Sequence, residues 1–210
     1  MTYWFYYVVR FLLWLIFRLA FGMEVRGRFH IPRRGGFLLA SNHLSYLDPP
    51  LLGAACTRRL SFMAQTNLFD DALLGAFMRG VHVIPLQRGE GDVAAIREAV
   101  RRLRRGDAVA IFPEGGRQFS GRLGTARGGV GLLAELARAP IIPVLVQGTF
   151  EALPPGSRRL KRAKIRVAFG PQIPYTTSPV PTLAARERHD QLAAQITQSW
   201  HRLADQLTDG

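Results

Sequence analysis

Cysteine is nearly absent from this chain, which has only Cys56 among its 210 residues. A single thiol excludes an internal disulfide and a cysteine-based metal site. It lies in an apolar helical segment that would bury it and raise its pKa, so we do not expect it to act as a nucleophile. Four other candidate ligands are not spaced for a metal ion, and we predict none; they are His30, His82, His189 and His201.

Complete signatures of several common active sites are also missing. There is no G-x-S-x-G segment, which argues against an ordinary serine hydrolase. Gly116–Leu123 resembles a P-loop, but Arg122 and Leu123 stand where Lys and Ser or Thr are required. Gly129–Ala134 resembles a dinucleotide fingerprint, yet no predicted strand leads into it. We therefore predict no cofactor.

Acidic residues are scarce: 15 Asp and Glu stand against 28 Lys and Arg, giving a net charge of +13. This surplus indicates an anionic partner: a nucleic acid, an acidic lipid or a phosphorylated substrate. The basic clusters at Arg101–Arg105 and Arg158–Arg166 contain no interleaved aromatic residues, so we predict no nucleic-acid binding. They suit either an anionic membrane surface or a solvated basic face.

The chain has one long apolar run, Tyr3–Phe21, interrupted only by Arg10 and Arg18. Polar-tipped side chains form one stripe at helical spacing: Tyr3, Tyr7, Arg10, Trp14 and Arg18. This pattern predicts a helix in the membrane interface whose arginines reach toward head groups. A buried core helix is the alternative, and it would have to hide both arginines. No signal-peptide pattern is evident.

The remainder alternates apolar strand-like runs with amphipathic helical segments, which predicts an α/β fold with a mostly parallel or mixed central sheet flanked by helices. We divide the chain into an N-terminal membrane-associating helix, residues 1–22, and one domain, residues 23–210. The predicted strands are one within Met23–Gly36, then Phe37–Ala40, Leu60–Ala64, Val81–Leu86, Ala108–Phe112, Ile141–Val146 and Lys164–Phe169. The predicted helices are Leu51–Cys56, Phe69–Met78, Gly91–Arg105, Gly128–Arg138 and Leu183–Leu207.

The first candidate site follows the strand Phe37–Ala40, which delivers His43 to the carboxyl edge of the sheet. Asp48 directly precedes Pro49 and Pro50, a pattern typical of a helix N-cap. A tight turn can bring its carboxylate to the imidazole, where it would fix the tautomer and leave the other nitrogen free to take a proton. The alternative is that Asp48 only caps and His43 is structural.

The second candidate site is Phe112–Arg117, which follows another buried strand and so reaches the same edge. Gly115 and Gly116 allow close approach of an anion, and the Arg117 guanidinium matches phosphate oxygens. Glu114 can hold that arginine or bind a substrate hydroxyl. Arg88 follows a further strand. The alternative is an ordinary turn and a solvated arginine.

Together these segments resemble the glycerolipid acyltransferase family. His43–Asp48 is similar to its H-x4-D signature, and Ile84–Arg88 to the block that ends in a phosphate-binding arginine. Phe112–Arg117 resembles the F-P-E-G-T-R block, and Ala139–Val144 resembles the V-P-I-x-P-V block that supports an acyl pocket. The resemblance extends over roughly Val25–Gly170.

The resemblance implies an enzyme that transfers an acyl group from acyl-CoA or acyl-carrier protein, as co-substrate, to 1-acylglycerol-3-phosphate, giving phosphatidic acid. It implies that His43 is the general base and that Asp48 orients it. It also implies peripheral or monotopic placement among membrane lipids on the cytoplasmic face of the cell membrane. The implied acceptor-binding residues are Arg88, Glu114, Gly115, Gly116 and Arg117.

The chain departs from the family pattern at Gly116, which replaces threonine, and at Gln118, which replaces serine. The change removes a hydroxyl near the acceptor, so a different lysolipid acceptor is one alternative. A nonenzymatic protein that binds lipid at the membrane surface is the other.

Overall fold

The computed structural model describes residues 3–66, 70–87, 92–175 and 184–208. Its helices are α1 Tyr3–Phe21, α2 Asp48–Ala55, α3 Ala72–Gly80, α4 Val93–Arg104, α5 Gly129–Ala137, α6 Thr149–Ala152 and α7 Ala185–Thr208, with a 3-10 turn at Arg28–His30. Its strands are β1 Glu24–Arg26, β2 Phe37–Ser41, β3 Leu60–Gln65, β4 Ile84–Leu86, β5 Ala108–Ile111, β6 Ile141–Gln147 and β7 Arg166–Phe169.

The strands form one seven-stranded sheet in the order β1-β7-β6-β2-β5-β3-β4. Every described pairing is parallel except that of β6 with β7. β2 lies at the centre and all its residues are buried, as expected for a strand covered by helices on both faces. The predicted α/β fold with a mixed sheet flanked by helices is confirmed.

Successive residues of β2 face two separate cores. Leu38 and Ala40 join the core formed with α4, α5 and α7, whereas Phe37 and Leu39 join the core formed with α1 and α2. Trp200 of α7 is fully buried in the first core, and its indole N–H donates to the carbonyl of Ala40 at 3.2 Å. Helix α7 thereby fixes the carboxyl end of β2, which leads into the site.

The prediction that Asp48 caps α2 is wrong. The helix begins at Asp48 itself, Leu47 precedes it, and no side chain caps it. The physical reason is that no N–H group is left for a capping carboxylate: Pro49 and Pro50 have none, and the Leu51 N–H donates to the carbonyl of Leu47 at 3.0 Å. The Asp48 carboxylate turns back toward the preceding loop instead.

Several predicted boundaries shift by a few residues. The strand predicted from Val81 begins at Ile84, because Val81 and His82 form a turn in which His82 has φ 63°. The helix predicted from Gly91 begins at Val93, where the Asp92 side chain accepts the Ala95 N–H. The predicted starts at Phe69, Gly91 and Leu183 lie outside the described residues. The short helix α6 was not predicted.

Helix α1 has the predicted bounds, and Trp4–Phe21 is long and apolar enough to cross a membrane by length and composition. One side of it, with Phe17 and Phe21, is buried against the α2 core. The opposite side leaves large apolar side chains exposed: Trp4, Phe11, Leu12, Leu15, Ile16 and Leu19.

The two arginines of α1 contact the domain, whereas we expected them to reach toward head groups. Arg10 donates to the carbonyl of Thr57 at 3.3 Å, and Arg18 donates to the carbonyl of Met23 at 3.5 Å. Backbone carbonyls beyond the ends of α2 and α1 lie within reach of these side chains, which explains the difference. The helix is thus half docked on the domain and half exposed.

Candidate active site

His43 and Asp48 form a direct hydrogen bond between Nδ1 and Oδ2 at 2.9 Å. The same oxygen accepts the backbone N–H groups of Leu44 and Ser45 at 2.7 and 2.8 Å. Because Oδ2 acts as an acceptor for these amides, it fits an imidazole whose proton is on Nδ1 and whose Nε2 has a free lone pair. The predicted proximity of acid and imidazole is present in the structure.

The loop that carries this pair is fixed to strand β6 and helix α6. The Asn42 side chain donates to the carbonyl of Val146 at 3.0 Å and accepts its N–H at 2.8 Å. The Ser45 hydroxyl donates to the carbonyl of Leu153 at 2.7 Å. Asp48 is fully buried beneath the loop. These bonds hold the loop in place, and the His43 side chain remains partly exposed.

Phe112 stacks on the His43 ring, with the ring centroids 4.0 Å apart and the planes at 19°. It immediately follows β5, which pairs with β2 in parallel. The contact fixes the plane of the imidazole, since the Nδ1 bond alone leaves the ring free to tilt. The sequence placed Phe112 in the second block but did not predict this contact.

Glu114 connects the two predicted blocks. It is 2% exposed, and its carboxylate accepts the His43 N–H at 2.9 Å through Oε2 and the Gly124 N–H at 2.9 Å through Oε1. Burial raises the pKa of Glu114, and the two N–H donors partly oppose that effect. Both oxygens hold backbone groups, so the geometry favours a positioning role over the predicted contact with an acceptor hydroxyl or with Arg117.

Arg117 lies over the ring of Tyr46, with Cζ 3.6 Å from the ring centroid. Its Nη1 atom is buried and has no hydrogen-bond partner among the described residues. A buried guanidinium nitrogen without an acceptor is costly unless a ligand supplies one. Tyr46 lies inside the H-x4-D segment, between His43 and Asp48, and its contact with Arg117 was not predicted from the sequence.

Arg127 provides a further guanidinium at the same turn, and its place there was not predicted from the sequence. Gly115 has φ 82°, and a Cβ atom at that position would lie 3.3 Å from the Arg127 Cζ. The Arg127 backbone N–H donates to the carbonyl of Pro113 at 2.9 Å, which fixes the arginine beside the turn. A Cβ on Gly116, in contrast, would meet nothing within 4 Å. Only contacts across the turn reveal Arg127, which is one of many arginines in the sequence.

Arg88 lies outside the described residues, so its role stays a prediction. Within the described ranges no group of three His, Cys, Asp or Glu side chains could hold a metal ion. The Cys56 thiol is buried, and burial raises its pKa to about 11. A thiol in that environment is a poor nucleophile, in agreement with the expectation from sequence.

An apolar cavity of about 370 Å³ extends from the site beneath α1. It begins at Phe112 and Tyr46, the residues that stack on His43 and Arg117. Its other lining residues are Tyr6, Val9, Arg10 and Leu13 of α1, Pro49, Pro50 and Gly53 of α2, Phe62, Met63 and Ala64 of β3, Met78 of α3, and Val81 and Val83 before β4. Such a cavity fits a hydrocarbon chain.

Comparison with known families gives one match over the region that contains this site. A family model described as Acyltransferase matches residues 22–147, more than half of the chain. The matched segment includes His43, Asp48 and the turn that ends at Arg117.

Two relatives of this chain share the name 1-acyl-sn-glycerol-3-phosphate acyltransferase. The 1-acyl-sn-glycerol-3-phosphate acyltransferase of Bacillus subtilis (strain 168) is 26% identical over 194 residues, which is 92% of this chain and 94% of that protein. The 1-acyl-sn-glycerol-3-phosphate acyltransferase alpha of Homo sapiens is 30% identical over 176 residues, 81% of this chain and 62% of that protein.

The fold also matches a solved structure. The 1-acyl-sn-glycerophosphate (LPA) acyltransferase PlsC from Thermotoga maritima superposes with a TM-score of 0.76 at 20% sequence identity. The match covers 92% of this chain and 78% of that one. At this identity the likeness concerns the fold.

Proposed function

Because the chain belongs to the Acyltransferase family, we propose that it acylates the free hydroxyl of 1-acylglycerol-3-phosphate and so produces phosphatidic acid. The names of the relatives from Bacillus subtilis and Homo sapiens support this acceptor. The observation that carries the proposal is the His43–Asp48 pair, which stacks on the cavity-lining Phe112 and lies in the same site as Arg117, whose buried Nη1 atom has no hydrogen-bond partner among the described residues.

His43 acts as the general base in this proposal. The Nδ1 bond to Asp48 leaves Nε2 to accept the proton of the acceptor hydroxyl. The carboxylate stabilises the imidazolium that forms, and stacking on Phe112 maintains its direction. Glu114 is a positioning residue that holds the main chain of His43.

The reaction requires no covalent intermediate and no cofactor, because a thioester is already activated. The hydroxyl oxygen attacks the thioester carbonyl while its proton moves to Nε2 of His43. The C–S bond then breaks as the ester forms, and the imidazolium returns the proton to the departing thiolate. Either acyl-CoA or acyl-carrier protein can supply the thioester.

Arg117 and Arg127 bind the acceptor phosphate in this proposal. Charge-assisted bonds from guanidinium groups to phosphate are among the strong hydrogen bonds in proteins. The backbone at Gly115 and Gly116 contributes close approach, since neither residue has a side chain. Arg88, predicted from sequence, belongs to the same proposed group.

The acyl chain of the donor enters the cavity beneath α1. The exposed apolar side of α1 would then lie in the membrane interface on the cytoplasmic face, so that the lysolipid reaches His43 from the bilayer. Residues 1–22 serve as the membrane-associating segment and residues 23–210 as the catalytic domain.

The test offers purified full-length protein a panel of lysophospholipids with both donors and measures the release of free thiol and the lipid product. We expect turnover of lysophosphatidic acid by the wild type and loss of turnover in His43→Ala. Equal turnover of lysophosphatidylcholine would contradict the phosphate role of Arg117. If the protein only binds lipid, neither the wild type nor His43→Ala will consume the acyl donor.

A further inference from the structure

A second cavity, of about 300 Å³, lies between α1, the 3-10 turn Arg28–His30 and α2. It is lined by Tyr7, Arg10, Phe11, Trp14, Arg28 and Ala54. None of these residues belongs to the proposed catalytic or phosphate-binding set. Arg10 is shared with the wall of the acyl cavity, so the two cavities are neighbours on either side of this side chain.

Two like-charged side chains share this small cavity. The Arg28 Nε donates to the carbonyl of Ala55 at 2.9 Å, and the Arg10 Nη1 donates to the carbonyl of Thr57 at 3.3 Å. Each guanidinium has five N–H donors, so most of them are not used by these bonds. Among the residues that the structure describes, none with a carboxylate lines this cavity. Burial, followed by repulsion from Arg10, lowers the pKa of Arg28.

Each guanidinium satisfies a different carbonyl, and a single donor of each is enough for that bond. A second positive charge in the same cavity costs free energy unless an anion offsets it. The arrangement therefore fits an anion with several acceptor oxygens, and two planar guanidinium groups are well suited to phosphate.

The rim of the cavity indicates where that phosphate comes from. Phe11 is 60% exposed and belongs to the apolar side of α1, and Tyr7 and Trp14 have the apolar body and polar tip that suit the head-group layer. A phospholipid whose phosphate is bound in this cavity could place its acyl chains along the exposed apolar side of α1. A soluble phosphate gains nothing from that apolar rim.

We propose that this cavity binds the phosphate of an anionic membrane phospholipid and so fixes α1 at the membrane surface. The inference rests on the proposed placement of α1 in the membrane interface and does not depend on the chemistry at His43. The bound lipid is a ligand at a site of its own, distinct from the acceptor.

The test compares Arg28→Gln with Arg33→Gln, which removes one exposed arginine from the nearby loop. Full-length protein is sedimented with phosphatidylcholine vesicles and with vesicles that also contain phosphatidylglycerol. We expect Arg28→Gln to weaken binding to the phosphatidylglycerol vesicles about tenfold more than Arg33→Gln does, since it removes charge-assisted bonds as well as surface charge. Binding to phosphatidylcholine alone should change little.

Equal losses in the two variants would overturn the site, because they would show only a general effect of charge. A thermal-shift titration with inorganic phosphate tests whether the cavity binds free phosphate instead of a lipid head group. Stabilisation of the wild type but not of Arg28→Gln, without a difference in vesicle binding, would make this a free-phosphate site and reject the lipid. If Arg28→Gln does not fold, Arg10→Gln replaces it in the vesicle assay with the same two outcomes.

Activity separates this inference from the proposed function. In detergent micelles without anionic phospholipid, Arg28→Gln should transfer acyl groups at the wild-type rate. Turnover in micelles with no selective loss of vesicle binding would reject the lipid site alone. Selective loss of vesicle binding with no turnover by the wild type would reject the proposed function alone.

Discussion

The Glu114 carboxylate accepts the backbone N–H of His43 at 2.9 Å, although 71 positions separate the two residues. Its other oxygen accepts the N–H of Gly124 at 2.9 Å. One buried side chain thus holds the loop that carries the imidazole and the loop that frames the arginines. The relative position of base and phosphate clamp depends on this contact.

Replacement of Glu114 by Gln should lower activity without removing any group that contacts substrate. An amide has one acceptor oxygen, so the N–H of either His43 or Gly124 loses its partner at a cost of about 1–3 kcal/mol. We expect a fall in kcat with a smaller change in KM, measured by steady-state kinetics. Glu151→Gln, on the exposed side of α6, is the control. Wild-type kcat in Glu114→Gln would contradict the positioning role.

The same variant gives a pH signature. Burial raises the pKa of Glu114 above its ordinary 4.5, so the folded protein binds more protons at this position than the unfolded chain does. The free energy of unfolding should therefore fall as pH rises from about the ordinary value through the raised one. Urea unfolding across that window should show this component in the wild type but not in Glu114→Gln. The same dependence of unfolding free energy on pH in both proteins would contradict this contribution of Glu114.

Replacement of Asp48 by Asn tests the acid–imidazole pair. The amide no longer stabilises an imidazolium and can stabilise the wrong tautomer, so kcat should fall by on the order of 100- to 10,000-fold. Asp205→Asn, on the exposed surface of α7, should behave as wild type. Retention of wild-type kcat by Asp48→Asn would contradict the proposed role of Asp48 in orienting His43 and stabilising its imidazolium.

Two adjacent glycines form a matched pair. Gly115→Ala forces a side chain onto a residue at φ 82° and against Arg127, which should destabilise the turn by about 1–2 kcal/mol and raise the KM for the acceptor. Gly116→Ala meets no described atom of the protein within 4 Å, so its thermal stability should stay at the wild-type value even where the added methyl group hinders the acceptor phosphate. Thermal unfolding and acceptor titrations measure both effects. Equal thermal stability of the two variants would argue against the close contact between Gly115 and Arg127.

Arg127→Gln should weaken acceptor binding with little effect on the donor. Loss of a charge-assisted bond to phosphate costs about 1.5–3 kcal/mol, which corresponds to a rise of about 10- to 100-fold in the KM for lysophosphatidic acid. Arg122→Gln, an exposed arginine of the same loop, is the charge-matched control. An equal rise in both variants would assign the effect to general electrostatics.

Gly53 offers a way to shorten the acyl cavity. It lines that cavity, and a Cβ there would lie 3.9 Å from Phe62 and within 4 Å of no other described side chain. We expect Gly53→Leu to shift donor preference toward shorter chains, measured with a series of acyl-CoA substrates. Gly53→Ala should keep the wild-type preference more closely and gain about 0.4–1 kcal/mol in unfolding free energy. An unchanged chain-length profile in Gly53→Leu would place the acyl chain elsewhere.

The sequence by itself determined the features that depend on neighbours along the chain. The bounds of α1 follow from its apolar run, and the alternation of strands and helices predicted the α/β sheet. His43 and Asp48 are five positions apart, so a single tight turn is enough to join them. Local conformational preferences and periodicity are readable in such segments because the interacting groups are close in sequence.

Only the tertiary structure decided the contacts between distant segments. It directed Glu114 onto the main chain of His43, set Arg127 beside Gly115, and brought Arg10 and Arg28 into one cavity. It also turned Asp48 away from the helix it was expected to cap. Sheet order and helix packing determine which side chains meet across long stretches of chain, and one arginine among many has no local pattern that identifies its partner.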